Sequence, residues 1–293
     1  LIALSVFHNA VTVMAVCAPW RGSFISGQYP LTHGVFYNDK PFPTEATTIA
    51  KIYKEAGYET GYIGKWHLNG HERGEEPFSA RNQPVPKERR QGFDYWKVRE
   101  VTHNYNNSYY FDEENQKQFW EGYDAFSQTD SAISYINKNK DNPFLLVMSW
   151  GPPHDPYHTA PQAYRDMYEP SALSVIMSKG MLKKQRPWDE SIKVPLLIRY
   201  PEKLGKGTNV YDPINTPDLL PTLLGLSDLA IPGSIEGKDF SSKLLAGDEL
   251  GNEAALIMLP VPFHEWKFLN GGREYRGVRT KKYTYVRDLL GPW

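Results

Sequence analysis

Cys17 is the sole cysteine among 293 residues, and it opens the run Cys17-Ala18-Pro19-Trp20-Arg21-Gly22-Ser23-Phe24-Ile25-Ser26-Gly27. With no second cysteine in the chain, no internal disulfide forms. What remains is an inert buried thiol, or a nucleophile once the thiol is ionised. A phosphatase-type thiolate is a poor match, because it wants an unbroken loop of amide donors before its arginine, and Pro19 removes one donor just ahead of Arg21. Further basic groups stand at other punctuated places. Gly57-Tyr58-Glu59-Thr60-Gly61-Tyr62-Ile63-Gly64-Lys65-Trp66-His67 ends in a lysine and a histidine two apart. On an extended strand such residues share a side, and an ammonium beside an imidazole suits a small tetrahedral anion. His154 lies in Pro153-His154-Asp155-Pro156-Tyr157, just after an apolar run. Lys183 and Lys184 sit side by side in the stretch from Ser178 to Pro195, where at least one of them reads as a surface charge. Taken singly, a solvated lysine, a capping histidine or a hydrogen-bonded loop histidine explains each of these as well as chemistry does.

The elements that position them alternate in type. Small and apolar residues from Ser23 to Ser26 suit a buried helical turn, stopped at Gly27. Residues 44–57 read as an amphipathic helix, with Thr44 or Thr47 as N-cap, Ile49, Ile52 and Tyr53 on one face, and Gly57 as terminator. Tyr58–Gly64 reads as a strand. The stretch from Asn69 to Gln118 is polar, aromatic and aperiodic, which predicts long excursions that include His71 and His103. Helical periodicity returns from Tyr123 to Lys138. Pro143–Trp150 then reads as a buried central strand, which puts His154 at its carboxyl end, where α/β sheets bind ligands. Val194–Tyr200 is a further strand and Asp218–Leu226 an apolar helix. Gly277–Arg287 reads as two short strands about a basic turn. Together these predict an α/β fold with a mostly parallel central sheet sandwiched by helices, and a small C-terminal antiparallel sheet.

Cys17-Ala18-Pro19-Trp20-Arg21 resembles the C-x-P-x-R signature of type I, formylglycine-dependent sulfatases, members of the alkaline phosphatase superfamily. The run ending in Lys65-Trp66-His67 is similar to that family's G-Y-x-T-x-x-x-G-K-x-H segment. Pro153–Tyr157 resembles its P-H-x-P-Y turn. Ser178–Pro195 resembles its G-x-x-x-K-x-x-x-Y-E-x-x-x-x-V-P stretch, with Lys184 on the sulfate-binding lysine and Trp188 in place of tyrosine. These matches come in family order, and Gly277–Tyr285 resembles the family's C-terminal hairpin. The resemblance implies an alkaline phosphatase-like fold and a sulfuric ester hydrolase acting on a carbohydrate or aryl sulfate. It implies that a formylglycine-generating or sulfatase-maturating enzyme oxidises Cys17 to formylglycine, that Arg21, Lys65, His67, His154 and Lys184 share the catalysis, and that one calcium ion contacts the residue at Cys17. It implies residues 1–250 as the catalytic α/β domain and residues 251–293 as a small, incomplete C-terminal α+β unit. A phosphonate or phosphodiester hydrolase on the same scaffold, and an inactive protein that binds sulfated glycans, stay open as alternatives.

The pattern departs from the family where calcium ligands are expected. No Asp-Asp pair precedes Cys17, and Ser171-Ala172-Leu173-Ser174-Val175-Ile176 runs into Met177 without an Asp-His-Gly or Asp-Asn-Gly turn. Arg21, Lys65 and Lys184 would then lack anionic counterparts, and uncompensated charge costs stability. The expectation is that segments of a longer protein are absent near residues 5–7 and 172–177. Charge is balanced, with 33 Lys and Arg against 34 Asp and Glu, so no bulk attraction to nucleic acid is evident. No apolar run approaches the roughly 20 residues of a transmembrane helix. No signal peptide is visible, so a periplasmic, secreted or lysosomal location is what the resemblance implies. Phe263-His264-Glu265-Trp266 joins Asn69–Gln118 as a candidate for shaping the leaving-group pocket.

Overall fold

A computed structural model of the chain describes residues 4–71, 79–167, 184–204, 207–262, 272–288 and 290–292. Two compact units emerge, one from residues 1–38 with 177–293 and the other from residues 39–176. Among the described residues no helix is long and apolar enough to cross a membrane.

In the first unit, β1 (Ser5–Phe7) lies between β8 (Leu196–Ile198), antiparallel, and β9 (Asn209–Val210), parallel. The next strand, β2 (Ala10–Val11), pairs in parallel with β10 (Ile214–Asn215). The chain then enters α1 (Cys17–Ser26) from an extended Val16. Pro19 is tolerated there because the first turn has no intrahelical acceptor for its missing N–H. Gly27 ends α1 at φ 66°, the left-handed conformation that glycine takes without strain, and its N–H donates to the Ser23 carbonyl. Against α1 packs the helix Thr216–Leu226. Its start is set by a capping box: Asn215 Oδ1 accepts from the Thr216 N–H at 2.8 Å, and Asp218 Oδ2 accepts from the Asn215 N–H at 2.8 Å.

Antiparallel β11 (Ala254–Leu259), β12 (Tyr275–Thr280), β13 (Thr284–Asp288) and β14 (Gly291–Pro292) form the expected C-terminal sheet. Its inner residues Ile257, Leu259, Tyr275 and Val286 share a buried core with Val13, Met14 and Val16, which lead into Cys17. Fully burying a side chain of this size stabilises by about 1.5–3 kcal/mol, so the approach to Cys17 is anchored.

The second unit holds a five-stranded mixed sheet. Its parallel heart is β3 (Glu59–Lys65) between β4 (Tyr95–Arg99) and β7 (Phe144–Ser149). Antiparallel β5 (Tyr109–Phe111) and β6 (Lys117–Phe119) extend it beyond β4. Both α3 (Ile49–Glu55) and α4 (Asp124–Asn139) pack on β3 and β7. The buried rings of Tyr62, Trp66, Phe93 and Trp96 meet edge-on or tilted, with centroids 5.0–6.1 Å apart, and lock the carboxyl end of β3. The fold is therefore α/β as expected, but its sheet is mixed.

Two local expectations are corrected. The helix expected from residue 44 begins at Ile49, because Lys51 Nζ donates to the Thr44 and Ala46 carbonyls and holds that stretch as a loop. Thr48 precedes the helix, but its hydroxyl donates to the Gln91 carbonyl at 2.8 Å and caps nothing. The strand Phe144–Ser149 was expected to be central and buried. Among the described residues of its unit it is an edge strand, and all six of its residues are half-exposed.

His33 ends α2 (Pro30–His33) and is buried against α1. The Val35 N–H donates to its Nδ1 at 3.1 Å, so the proton sits on Nε2, which faces Ser23 Oγ at 3.1 Å. Burial penalises the imidazolium and lowers the His33 pKa from 6.5 to about 4. A histidine that stays neutral in the fold contributes stability above pH 6.5. That contribution falls away as pH drops toward about 4, because only the unfolded chain binds the proton in that window. The full effect is on the order of 3 kcal/mol. Melting temperatures measured across this window should fall with pH in the parent protein, and a His33→Gln variant should lose most of the decline.

Candidate active site

In the first unit, Cys17 occupies the first position of α1 and is partly exposed. The next amide, that of Ala18, donates to Asn38 Oδ1 at 3.0 Å, so a side chain satisfies one of the helix's opening donors. Beside the thiol lies Lys184, with Nζ 2.9 Å from Cys17 Sγ. The neighbour of Lys184 explains the approach. Gln185 adopts φ 76° and donates its N–H to the Ala15 carbonyl. Further along, Thr12 donates to the Ile192 carbonyl and Val194 to the Ala10 carbonyl, so residues 185–194 are zipped along residues 10–15. The short helix Asp189–Ile192 sits inside this zipper and is tied to the C-terminal sheet by Arg279, whose Nη2 is 3.1 Å from Asp189 Oδ2. Arg21 follows Cys17 by one helical turn, which puts both on one face of α1. Lys183 and the run Ser171–Ile176 lie outside the described residues, as does Phe263–Trp266.

The second unit holds Lys65, His67 and His154. Lys65 is the last residue of β3, buried, and pairs in register with Arg99 of β4. It lines a small cleft with Arg99, Thr102, Asp124 and Gln128. Burial raises the Asp124 carboxyl to about 6, against the pull of Ser108, the Ala125 N–H and Arg99. The sequence placed Lys65 and His67 on one side of a continuing strand. The strand instead stops at Lys65, and His67 has φ 57°, so its direction is set by a turn and not by alternation. Its ring is buried, and Nε2 lies 3.4 Å from Asp39 Oδ1. Arg81 grips the same carboxylate with Nε at 2.8 Å and Nη2 at 2.6 Å. Burial alone would raise the Asp39 pKa; His67 and Arg81 outweigh it and hold the carboxyl well below the usual range.

His154 stands in the loop after β7, half-exposed. Its Nδ1 is 2.8 Å from Asp155 Oδ1 and 3.0 Å from the Asp155 carbonyl, which leaves Nε2 as the nitrogen not engaged by Asp155. The ring stacks on His103 with centroids 4.8 Å apart, and the Tyr105 hydroxyl donates to the Asp155 carbonyl. His103 thus lies beside His154, a contact that the sequence did not point to. Asn38, Asp39, Arg81 and Asp155 were not picked out from sequence. No spacing marks the first three; Asp155 alone sits inside a recognised turn.

The sequence model of sulfatases matches residues 3–173, and that of the N-sulphoglucosamine sulphohydrolase C-terminal region matches residues 178–289. The chain belongs to the sulfatase family. An ulvan-active sulfatase of Formosa agariphila is 38% identical over 352 residues, covering 98% of this chain and 66% of that relative. The chain thus spans about two-thirds of its length. An endo-4-O-sulfatase of Bacteroides thetaiotaomicron is 22% identical, covering 95% of this chain and 72% of the relative. Among solved structures, a protein of the Bacteroides thetaiotaomicron glycosaminoglycan locus superimposes with a TM-score of 0.79 at 21% identity, covering 99% of this chain and 78% of its own. BT4656, solved with its substrate D-glucosamine-2-N,6-O-disulfate, gives 0.71 at 18% identity, covering 97% and 81%. These likenesses show the shared alkaline phosphatase-like fold.

Calcium, implied by the resemblance, needs a cage of hard oxygen ligands. Among the described residues no group of three or more His, Cys, Asp or Glu converges to hold a metal, and the neighbour of Cys17 is a lysine. The described residues alone do not supply such a cage.

The Asn38 contact is testable by stability. Asn38→Ala, which strands the Ala18 N–H, should cost about 1 kcal/mol in urea denaturation, whereas Asn38→Asp, which still accepts, should cost much less.

Proposed function

We propose that this chain removes sulfate from a carbohydrate sulfate ester, with Cys17 converted to formylglycine as the source of the nucleophile. The observation that carries the reading is the 2.9 Å approach of Lys184 Nζ to Cys17 Sγ at the start of α1, in a chain of the sulfatase family. A cation at the side chain to be modified suits the monoanionic sulfate ester and the charge its transition state spreads over the sulfate oxygens. Relatives named for activity on ulvan and for endo-4-O-sulfatase action support a glycan as the leaving group.

Formylglycine, once hydrated, offers two hydroxyls on one carbon, one to attack sulfur and one whose deprotonation expels sulfate, an exit that a serine or an ordinary thiol lacks. The remaining roles fall to side chains. Lys184 and Arg21 supply positive charge beside position 17, and the role of a third cation for the sulfate oxygens is given to Lys65 on the family resemblance alone. His154, with Nδ1 taken by Asp155, has Nε2 free to protonate the departing alcohol oxygen. His67 takes the proton of the second hydroxyl, that oxygen forms the aldehyde C=O, and sulfate leaves with both electrons of the broken bond between carbon and the sulfate's bridging oxygen.

Peptide mass spectrometry across Cys17, after production with a sulfatase-maturating enzyme, should show the aldehyde mass. Cys17→Ala should abolish hydrolysis of sulfated polysaccharide while the melting temperature stays near that of the parent. Turnover that survives this substitution, or preferential turnover of a phosphodiester or phosphonate ester, would sink the reading.

A further inference from the structure

The assignment of His67 as a base leaves open what fixes its proton. We propose that Asp39 is the positioning residue of His67: it holds the Nε2–H tautomer, so that Nδ1 is the nitrogen that accepts the proton, and Arg81 keeps Asp39 ionised for that purpose. This rests on the base role given to His67 above.

The His71 N–H donates to the Asp39 carbonyl at 3.1 Å, and the Phe42 N–H donates to the Leu68 carbonyl at 2.9 Å. These two bonds lay residues 39–42 along residues 68–71. Gly70 makes the approach possible. It sits at φ 60°, and a Cβ there would lie 2.4 Å from Pro41 N and 2.5 Å from the Lys40 carbonyl carbon, where no side chain fits. Arg89 binds the same junction, donating to Asn69 Oδ1, the Asn69 carbonyl and the Phe42 carbonyl. Buried Glu100 accepts the Asn69 and Gly70 N–H groups at 2.8 and 3.2 Å. The turn carrying His67 is thus held from three sides.

Two residues in this turn region depart from ordinary backbone: His67 at φ 57° and Asp39 at φ 64°. Left-handed conformations cost energy outside glycine, though Asp tolerates them best, and they persist where surroundings over-determine them. Here they bring a buried carboxylate to a buried imidazole, 7% and 3% exposed. The 3.4 Å separation is at the long edge of hydrogen bonding, as is common for catalytic pairs before substrate arrives. Both ring nitrogens are buried, and neither makes a hydrogen bond of normal geometry among the described residues. A neutral imidazole must donate from one nitrogen and accept at the other. Asp39 is an acceptor only, so the nitrogen facing it carries the proton and Nδ1 is left with its lone pair. When Nδ1 takes a proton, the carboxylate stabilises the imidazolium, which is the logic of a base oriented by a third group. Arg81 makes the carboxylate dependable, because its two-pronged grip fixes both oxygens and keeps the group charged. Glu100 is the other acid that acts on His67, but its Oε1 is spent on backbone amides.

The test is nitrogen-15 NMR of the histidine rings, read alongside turnover of sulfated polysaccharide. In the parent protein the neutral His67 ring should show a protonated Nε2 and a bare Nδ1. Asp39→Asn is close to isosteric, but an amide cannot accept from all three facing donors, so the single-tautomer signature should give way to a mixture. The turnover number should drop at least ten-fold, with KM changed less than three-fold. Arg81→Gln, at a half-exposed residue, should give a weaker form of the same pair of changes. Should Asp39→Asn fail to fold, Arg81→Gln carries the test. A parent ring protonated at Nδ1, or variants that keep both tautomer and turnover number, would overturn the proposal. A parent protein that turns over no sulfate ester yet shows the expected tautomers in parent and variants would overturn the base role and leave the Asp39–His67 pairing standing.

Discussion

Position 17 depends on backbone pairing between two stretches far apart in sequence. Residues 185–194 donate to and accept from residues 10–15, and the last of these bonds, from the Gln185 N–H to the Ala15 carbonyl, is two residues from the thiol. Each such bond contributes only about 0.5–1.5 kcal/mol net. Their collective effect is directional, because they run Lys184 past the start of α1 and leave its ammonium against Cys17. The buried side chains of Val13, Met14 and Val16 keep the receiving stretch from shifting, since they are shared with the C-terminal sheet. Without that sheet the approach to α1 would lose its floor.

The same economy appears in the second unit, by other means. There β3 delivers Lys65 by register, but His67 stands beyond the strand, where pairing no longer dictates direction. Its place is set by hydrogen bonds of the turn itself, whose amides donate to Glu100 and whose Asn69 carbonyl accepts from Arg89, and by two bonds to residues 39–42. A turn that must hold an imidazole against one carboxylate cannot be left to solvent. The structure surrounds it with buried aromatic rings and with acceptors aimed at its amides.

How much of this is legible in the sequence follows from the range of the interactions. The strand leading into Lys65, the helix from Asp124 and the hairpin about Lys281–Lys282 are local, and turn residues and periodicity mark them, although not where the strand stops. The edge position of β7 is not local: its apolar run reads the same whether one or both edges are paired. The start of α3 was misjudged because a lysine side chain, not a threonine cap, decides where the loop ends. Among the candidate site residues, Lys65, His67, His154 and Lys184 can be picked out from sequence because their neighbours form patterned segments. Asp39 and Arg81 are not, because their relation to His67 rests on contacts across the chain, and a lone Asp or Arg in a loop carries no periodic signal.

The sequence also raised a physical objection, that three cations without carboxylates would burden the fold. The described residues answer it in part. Lys184 is exposed, so water screens its charge and little desolvation is incurred. Lys65 is buried, but it shares its cleft with Asp124, a carboxyl that burial pushes up to about 6 and that positive charge favours ionising. The imidazole of His67 faces an ionised Asp39. Each unit thus tolerates its own basic groups, through exposure in one and through buried carboxylates in the other. Lys65 and Lys184 therefore need no bound anion to be tolerated, because the cost of burying a charge is avoided by exposure in one case and offset by a nearby carboxyl in the other.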